Sequence, residues 1–99
     1  MAGPATLDQV LEALRAAQPR ARDIGVKLVG VVGSVARGEA GPDSDVDVVF
    51  DVVGDLDYWR LGGLSMDLQD ALARRVDLVD REMMKPERWA WMSRDLVPI

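Results

Sequence analysis

The sequence contains no cysteine and no histidine. Without cysteine there is neither a disulfide nor a thiolate metal site. With histidine also missing, a structural zinc ion has almost no ligands to draw on. Only carboxylate and carbonyl oxygens remain as metal donors, and these favour Mg2+, Mn2+ or Ca2+. No apolar run approaches the length that crosses a bilayer, so no membrane association is expected. The first twenty residues carry Asp8 and Glu12 and no apolar h-region, which predicts no secretory signal and a cytoplasmic protein. Positive charge is scarce as well. Twelve Lys and Arg stand against 17 Asp and Glu, a net charge of −5, which argues against direct nucleic-acid binding.

What is present begins with an ordinary apolar share of 48% in 99 residues. That predicts one small domain over residues 1–99, with one modest core and no extended disorder. The acids are clustered. Between Glu39 and Asp57 lie seven carboxylates (Glu39, Asp43, Asp45, Asp47, Asp51, Asp55 and Asp57) and no Lys or Arg. Such a block repels any phosphate unless cations sit within it. It is a liability for a structural module and an asset for a metal site.

Thr6-Leu7-Asp8-Gln9 has the capping-box pattern and is followed by Val10, Leu11 and Leu14, which with Leu7 form an i, i+3, i+4, i+7 series. This predicts an amphipathic first helix, stopped near Pro19. Ile24 to Val32 reads as a buried strand ended by Gly33. Ser34 to Arg37 is expected to form one helical turn, and Gly38 to Pro42 a loop. Val46 to Val53 reads as a second strand closed by Gly54. Asp55 or Asp57 can cap a second helix reaching about Arg74, with Leu61, Leu64, Leu68 and Leu72 on one face. The Gly62-Gly63 pair weakens it by about 1 kcal/mol per glycine. Val76 to Val79 is a short third strand, and Pro86 can open a last helical segment with Trp89, Trp91 and Met92. The order αβ(turn)βαβα, without linker or repeat, predicts an α+β fold with a mixed β-sheet covered by helices.

One stretch carries the chemistry. Gly33-Ser34 is followed by ten residues and then Asp45-Val46-Asp47. A Gly-Ser turn after an apolar strand can offer backbone N–H groups to a phosphate. Two carboxylates at i and i+2 on the next strand share a face and can share a metal. In-line attack on an α-phosphorus gathers charge on the entering and leaving oxygens, and two Mg2+ about 4 Å apart can stabilise both. Asp45 and Asp47 can bridge those ions and hold a triphosphate. A third carboxylate is needed near the attacking hydroxyl, and Asp77 is the best candidate. It interrupts an apolar strand, where an unpaired carboxylate is costly. Asp80 is the weaker choice. Gly33 and Ser34 would hold the β- and γ-phosphates, and Arg37, one helical turn on, could pair with a phosphate oxygen. Ser44 reads as a turn residue, and Asp43, Asp51, Asp55 and Asp57 as solvated acids. Trp59 is expected to finish the core, while Trp89 and Trp91 divide evenly between core and protein interface.

The spacing Gly-Ser, ten residues, Asp-x-Asp resembles the signature of the polymerase-beta-like nucleotidyltransferase superfamily. Gly33-Ser34-Val35-Ala36-Arg37-Gly38 with Ser44-Asp45-Val46-Asp47 resembles most closely the minimal nucleotidyltransferases, over a span from the first helix to about Asp80. The resemblance implies the polymerase-beta-like fold, ATP as the nucleotide substrate, and Mg2+ (or Mn2+) at Asp45, Asp47 and Asp77. It also implies transfer of AMP to a hydroxyl, a tyrosine, on a partner HEPN-domain ribonuclease toxin, for which the chain would be the antitoxin. Two rival readings stand beside it. One is an antitoxin that neutralises its partner by binding alone. The other is a small-molecule or RNA nucleotidyltransferase, disfavoured by the acidic balance.

Overall fold

The computed structural model describes residues 6–41 and 43–99, so Pro42, at the end of the expected loop, lies outside the described residues. The first helix, α1 (Leu7–Ile24), starts as the capping box predicts. The Thr6 hydroxyl accepts from the Gln9 backbone N–H at 3.2 Å, and the Gln9 side chain accepts from the Thr6 N–H at 3.0 Å. It does not stop at Pro19. The proline ring is exposed to solvent, while Ala21 and Ile24, further along, are fully buried. Burying that last turn outweighs the one helical hydrogen bond a proline removes. Gln18 adds a clamp, donating to the Leu28 carbonyl at 2.9 Å and accepting from the Leu28 N–H at 2.8 Å. Gly25 closes the helix in the left-handed region at φ 100°, so Ile24 ends a helix and does not begin a strand.

Strands β1 (Val26–Val32) and β2 (Val46–Val52) pair antiparallel, and β2 pairs parallel with β3 (Val76–Asp80). Between them in sequence lies α2 (Tyr58–Leu72), capped by Asp57, which accepts from the Arg60 N–H at 3.1 Å. After β3 come a 3-10 turn (Arg81–Met83), α3 (Pro86–Met92) with proline in its first turn, and a second 3-10 turn (Ser93–Asp95). The two-residue strand β4 (Val97–Pro98), not expected from sequence, runs antiparallel to β1 and gives the order β3-β2-β1-β4. It comes so close to Gly30 that any side chain there would collide with the Val97 carbonyl. The sheet is mixed and the fold α+β, as expected.

The pleat sorts each strand between two environments. Val46, Val48 and Phe50 of β2 join Leu28, Val31 and Val76 in a core with Val10, Leu14 and Ile24 of α1 and Leu61, Leu64 and Leu68 of α2. The residues between them, Asp47, Val49 and Asp51, occupy the other face. Two expectations are corrected here. Trp59 is 90% exposed and leaves the core to others, because it sits two residues before Leu61 and so opposite the leucine stripe. Asp51 is no solvated acid: it takes two hydrogen bonds from the Arg81 guanidinium, the one from Nε at 2.9 Å. No helix among the described residues is long and apolar enough to cross a membrane.

Candidate active site

The site is built where β1 ends and β2 begins. Gly33 leaves β1 at φ 82°, a conformation that favours glycine, and the chain folds into a single helical turn. The Arg37 N–H donates to the Gly33 carbonyl at 3.1 Å, and the Glu39 N–H to the Ser34 carbonyl at 2.9 Å. The N–H groups of Ser34, Val35 and Ala36 find no acceptor among the described residues. Orphan donors of this kind open every helical turn and suit an anion. Gly33 is needed for a second reason. A side-chain carbon there would stand 2.6 Å from an Asp47 carboxylate oxygen, so the bare backbone lets that carboxylate lie against the turn. Ser44 behaves as a turn residue, its hydroxyl accepting from the Gly41 N–H at 2.8 Å.

Three acids neighbour one another in sequence or across the sheet. Asp47 pairs in register with Asp77 of β3, so both belong to the face away from α1 and α2, and Asp45 lies just before β2, two residues from Asp47. Asp47 is half-buried, and its carboxyl is pushed above its ordinary value. Burial is the largest cause, followed by the charge of Asp77 and then that of Asp45. Among the described residues no cation pairs with Asp45 or Asp47, while Asp77 has Arg75 3.4 Å away. Oxygen donors, mutual repulsion and partial desolvation make a set that a divalent cation would satisfy. The set is not pre-assembled: among the described residues no three carboxylates stand together at ligand spacing. The residues fit a hard cation in donor chemistry, and their side chains must turn toward one another to hold it.

Arg37, expected to pair with a phosphate oxygen, is held by two acids. Its guanidinium donates to Glu39 at 3.0 Å and to Asp95 at 2.8 Å, tying the turn to the segment before β4. Asp80 caps the turn after β3, accepting from the Glu82 N–H at 3.0 Å. Trp89 is half-buried with the Arg81 guanidinium 5.4 Å from its ring centre, and Trp91 is 69% exposed beside Arg94.

The residues that match the nucleotidyltransferase domain family run from 7 to 96, nearly the whole chain. The chain belongs to that family. It is similar to the protein adenylyltransferase MntA of Thermococcus cleftensis, 37% identical over 81 residues, which are 81% of this chain and 82% of the relative. A solved structure named as a candidate minimal nucleotidyltransferase superposes with a TM-score of 0.79 at 29% identity, covering 95% of this chain and 96% of the other. A crystal structure of a toxin–antitoxin pair with AMP-PNP matches with a TM-score of 0.56 at 27% identity, covering 79% of this chain and 59% of that one. This nucleotidyltransferase therefore has the minimal nucleotidyltransferase fold.

The nucleotidyltransferase also has a wall that sequence reasoning missed. A cavity of about 780 Å3 opens over β3, floored by Asp47, Asp77 and Asp80. The segment after β3 adds Met83, Met84, Lys85, Arg88 and Met92 to the lining. A partial signal was present, since Arg88 and Met92 are four residues apart on one side of α3, with Lys85 just before its start. Which side of α3 meets the sheet is set by long-range packing, and the periodicity of so short a helix does not disclose it.

Proposed function

We propose that this nucleotidyltransferase transfers AMP from ATP to a tyrosine hydroxyl of a partner HEPN-class toxin, with Mg2+ bound, and so serves in the cytoplasm as that toxin's antitoxin. The observation that carries the reading is Asp47. It is half-buried, repelled by Asp77 and Asp45, without an ion pair among the described residues, and laid against the Gly33 turn. A carboxylate so placed is poor for stability and well suited to a cationic ligand. Similarity to a protein adenylyltransferase and to one member of a toxin–antitoxin pair supports the choice of nucleotide and of partner.

In this reading the N–H groups of Ser34, Val35 and Ala36, with the Ser34 hydroxyl, receive the β- and γ-phosphates. Asp45, Asp47 and Asp77 would hold Mg2+, which when bound stabilises charge on the entering and leaving oxygens; Mn2+ suits the same donors. Asp77, on the strand furthest from the turn, accepts the proton of the attacking hydroxyl. Arg37 reaches a phosphate only by releasing Asp95 or Glu39. The acceptor hydroxyl comes from a separate macromolecule.

A catalyst and a masking protein differ in stoichiometry. Modification outlasts the encounter, so the native chain at well below one copy per toxin should silence ribonuclease activity, given time, ATP and Mg2+. Asp45→Asn/Asp47→Asn should not. The exposed Tyr58, Trp59, Met83 and Trp91 favour the rival reading, neutralisation by binding alone. Equal, one-to-one and ATP-independent protection by both chains would establish that rival.

A further inference from the structure

The order of the strands says from which side the acceptor enters. The anion-ready turn follows β1, Asp47 lies on the neighbouring β2, and Asp77 on β3 beyond it, so turn, metal ligand and third acid stand in a row across the sheet. In-line displacement places entering and leaving oxygens on opposite sides of the phosphorus. With the leaving pyrophosphate on the turn, attack has to come from the β3 side. The cavity opens there, and the turn takes no part in its lining.

We propose that this cavity is the acceptor pocket, that it receives a phenolic side chain of the partner protein, and that Lys85 and Arg88 stabilise the phenolate as it forms. The inference rests on the reading of the chain as a protein adenylyltransferase. Three observations support it. The lining includes Met83, Met84 and Met92, whose flexible thioethers suit an aromatic ring. Met83 is 82% exposed, at a mouth that a side chain from another protein can reach. Lys85 and Arg88 line the same cavity and, among the described residues, form no ion pair.

Those two cations answer a specific difficulty. A phenol has an ordinary pKa of about 10, so little of it is ionised at pH 7. Cations lining the same cavity favour the anion. In the transfer step the phenolic oxygen forms a bond to the α-phosphorus of ATP and its proton passes to the Asp77 carboxylate. The bond from the α-phosphorus to the bridging oxygen breaks, leaving pyrophosphate on the turn and AMP on the phenolic oxygen.

The test measures nucleotide binding and transfer separately. Calorimetry with Mg2+ and AMP-PNP reports the first. Labelled ATP with a synthetic tyrosine peptide at millimolar concentration reports the second, over pH 7 to 9. Lys85→Ala/Arg88→Ala should bind AMP-PNP within about twofold of the native chain and transfer AMP at least about tenfold more slowly at pH 7. The deficit should shrink toward pH 9, as the phenol ionises unaided, and Lys85→Arg/Arg88→Lys should restore most of the rate. Native-like transfer by the alanine variant overturns the acceptor pocket and leaves the adenylyltransferase reading intact. A tenfold loss of AMP-PNP affinity, with transfer unchanged at saturating nucleotide, overturns it in favour of a nucleotide subsite. No label on the peptide from the native chain overturns both.

Discussion

Asp47 and Asp51 lie on the same strand, four residues apart and on the same face, yet their surroundings are opposite. Asp51 sits across from Lys27 in the β1–β2 register and takes two hydrogen bonds from Arg81. Asp47 sits across from Val32 on one side and Asp77 on the other, with Asp45 two residues away. One acid is neutralised by the protein itself. The other is partly desolvated and surrounded by its own sign. A charge that serves the fold is paired within the fold, because an unpaired one is costly. A charge left unpaired in a half-buried place awaits a ligand. The contrast separates the structural from the functional carboxylates of the acid block more sharply than sequence position does.

Exchanging each acid for its neutral isostere breaks the comparison most forcefully. Asp47→Asn removes a donor where charge on the reacting phosphate must be met, and several kcal/mol of transition-state stabilisation are at stake there. AMP transfer should fall by about 10²- to 10³-fold or more, with each 1.4 kcal/mol worth a factor of ten. Asp51→Asn should keep transfer within a few-fold of native. Steady-state assays with labelled ATP decide it. Equal losses in both variants would show that the two acids do not divide as their surroundings indicate.

Much of this arrangement is legible in the sequence because it is local. The Gly33-Ser34 turn, the Asp45/Asp47 pair and the interruption at Asp77 each follow from pleat and spacing, and the three strands they need fall near the expected residues. The Thr6 and Asp57 caps and the Pro86 start are local too. What escapes is decided at a distance. Pro19 is a stop signal overruled by the burial of Ala21 and Ile24. Trp59 reads as core by composition and is turned outward by the phase of its helix. Arg81 lies thirty residues from Asp51, and nothing near either announces the other. Strand β4 has two residues and no pattern of its own, and exists because Gly30 lets it approach. The cavity wall of Lys85 and Arg88 depends on how α3 is set against β3.

The paired acid should matter most to stability. Arg81→Ala strips Asp51 of both guanidinium hydrogen bonds and leaves a side chain only 20% exposed with a poorly compensated charge. Hydrogen bonds to charged groups contribute about 1.5–3 kcal/mol, and the partial exposure of Arg81 places this pair at the lower end. A loss of about 1–2 kcal/mol is expected, seen as a lower urea midpoint at unchanged slope. For a chain this small it corresponds to a fall in Tm of about 4–8 °C per kcal/mol. Asp51→Asn/Arg81→Gln should lose less than Arg81→Ala, since neither partner is then left charged.

The unpaired acid should show the reverse sign, in a smaller effect that depends on pH. Burial and the charges of Asp77 and Asp45 raise the Asp47 carboxyl above its ordinary value in the folded protein. The native state therefore binds its proton more tightly than the unfolded chain does, and stability falls as pH rises through that interval. Below the ordinary aspartate range Asp47 is protonated in both states and contributes no penalty. Above its folded-state pKa, where it is ionised in both, it contributes the whole of it. Without divalent cations, Asp47→Asn should thus be more stable than the native chain at pH 7, and the advantage should close as pH drops into the carboxylate range. Adding Mg2+ should reverse the ranking at pH 7, because only the native acid cluster gains a ligand that binds the folded state alone. Thermal unfolding at three pH values, with and without Mg2+, reads all of this from two proteins. A native chain more stable than Asp47→Asn at pH 7 in the absence of metal would mean that Asp47 is compensated after all, and the contrast with Asp51 would collapse.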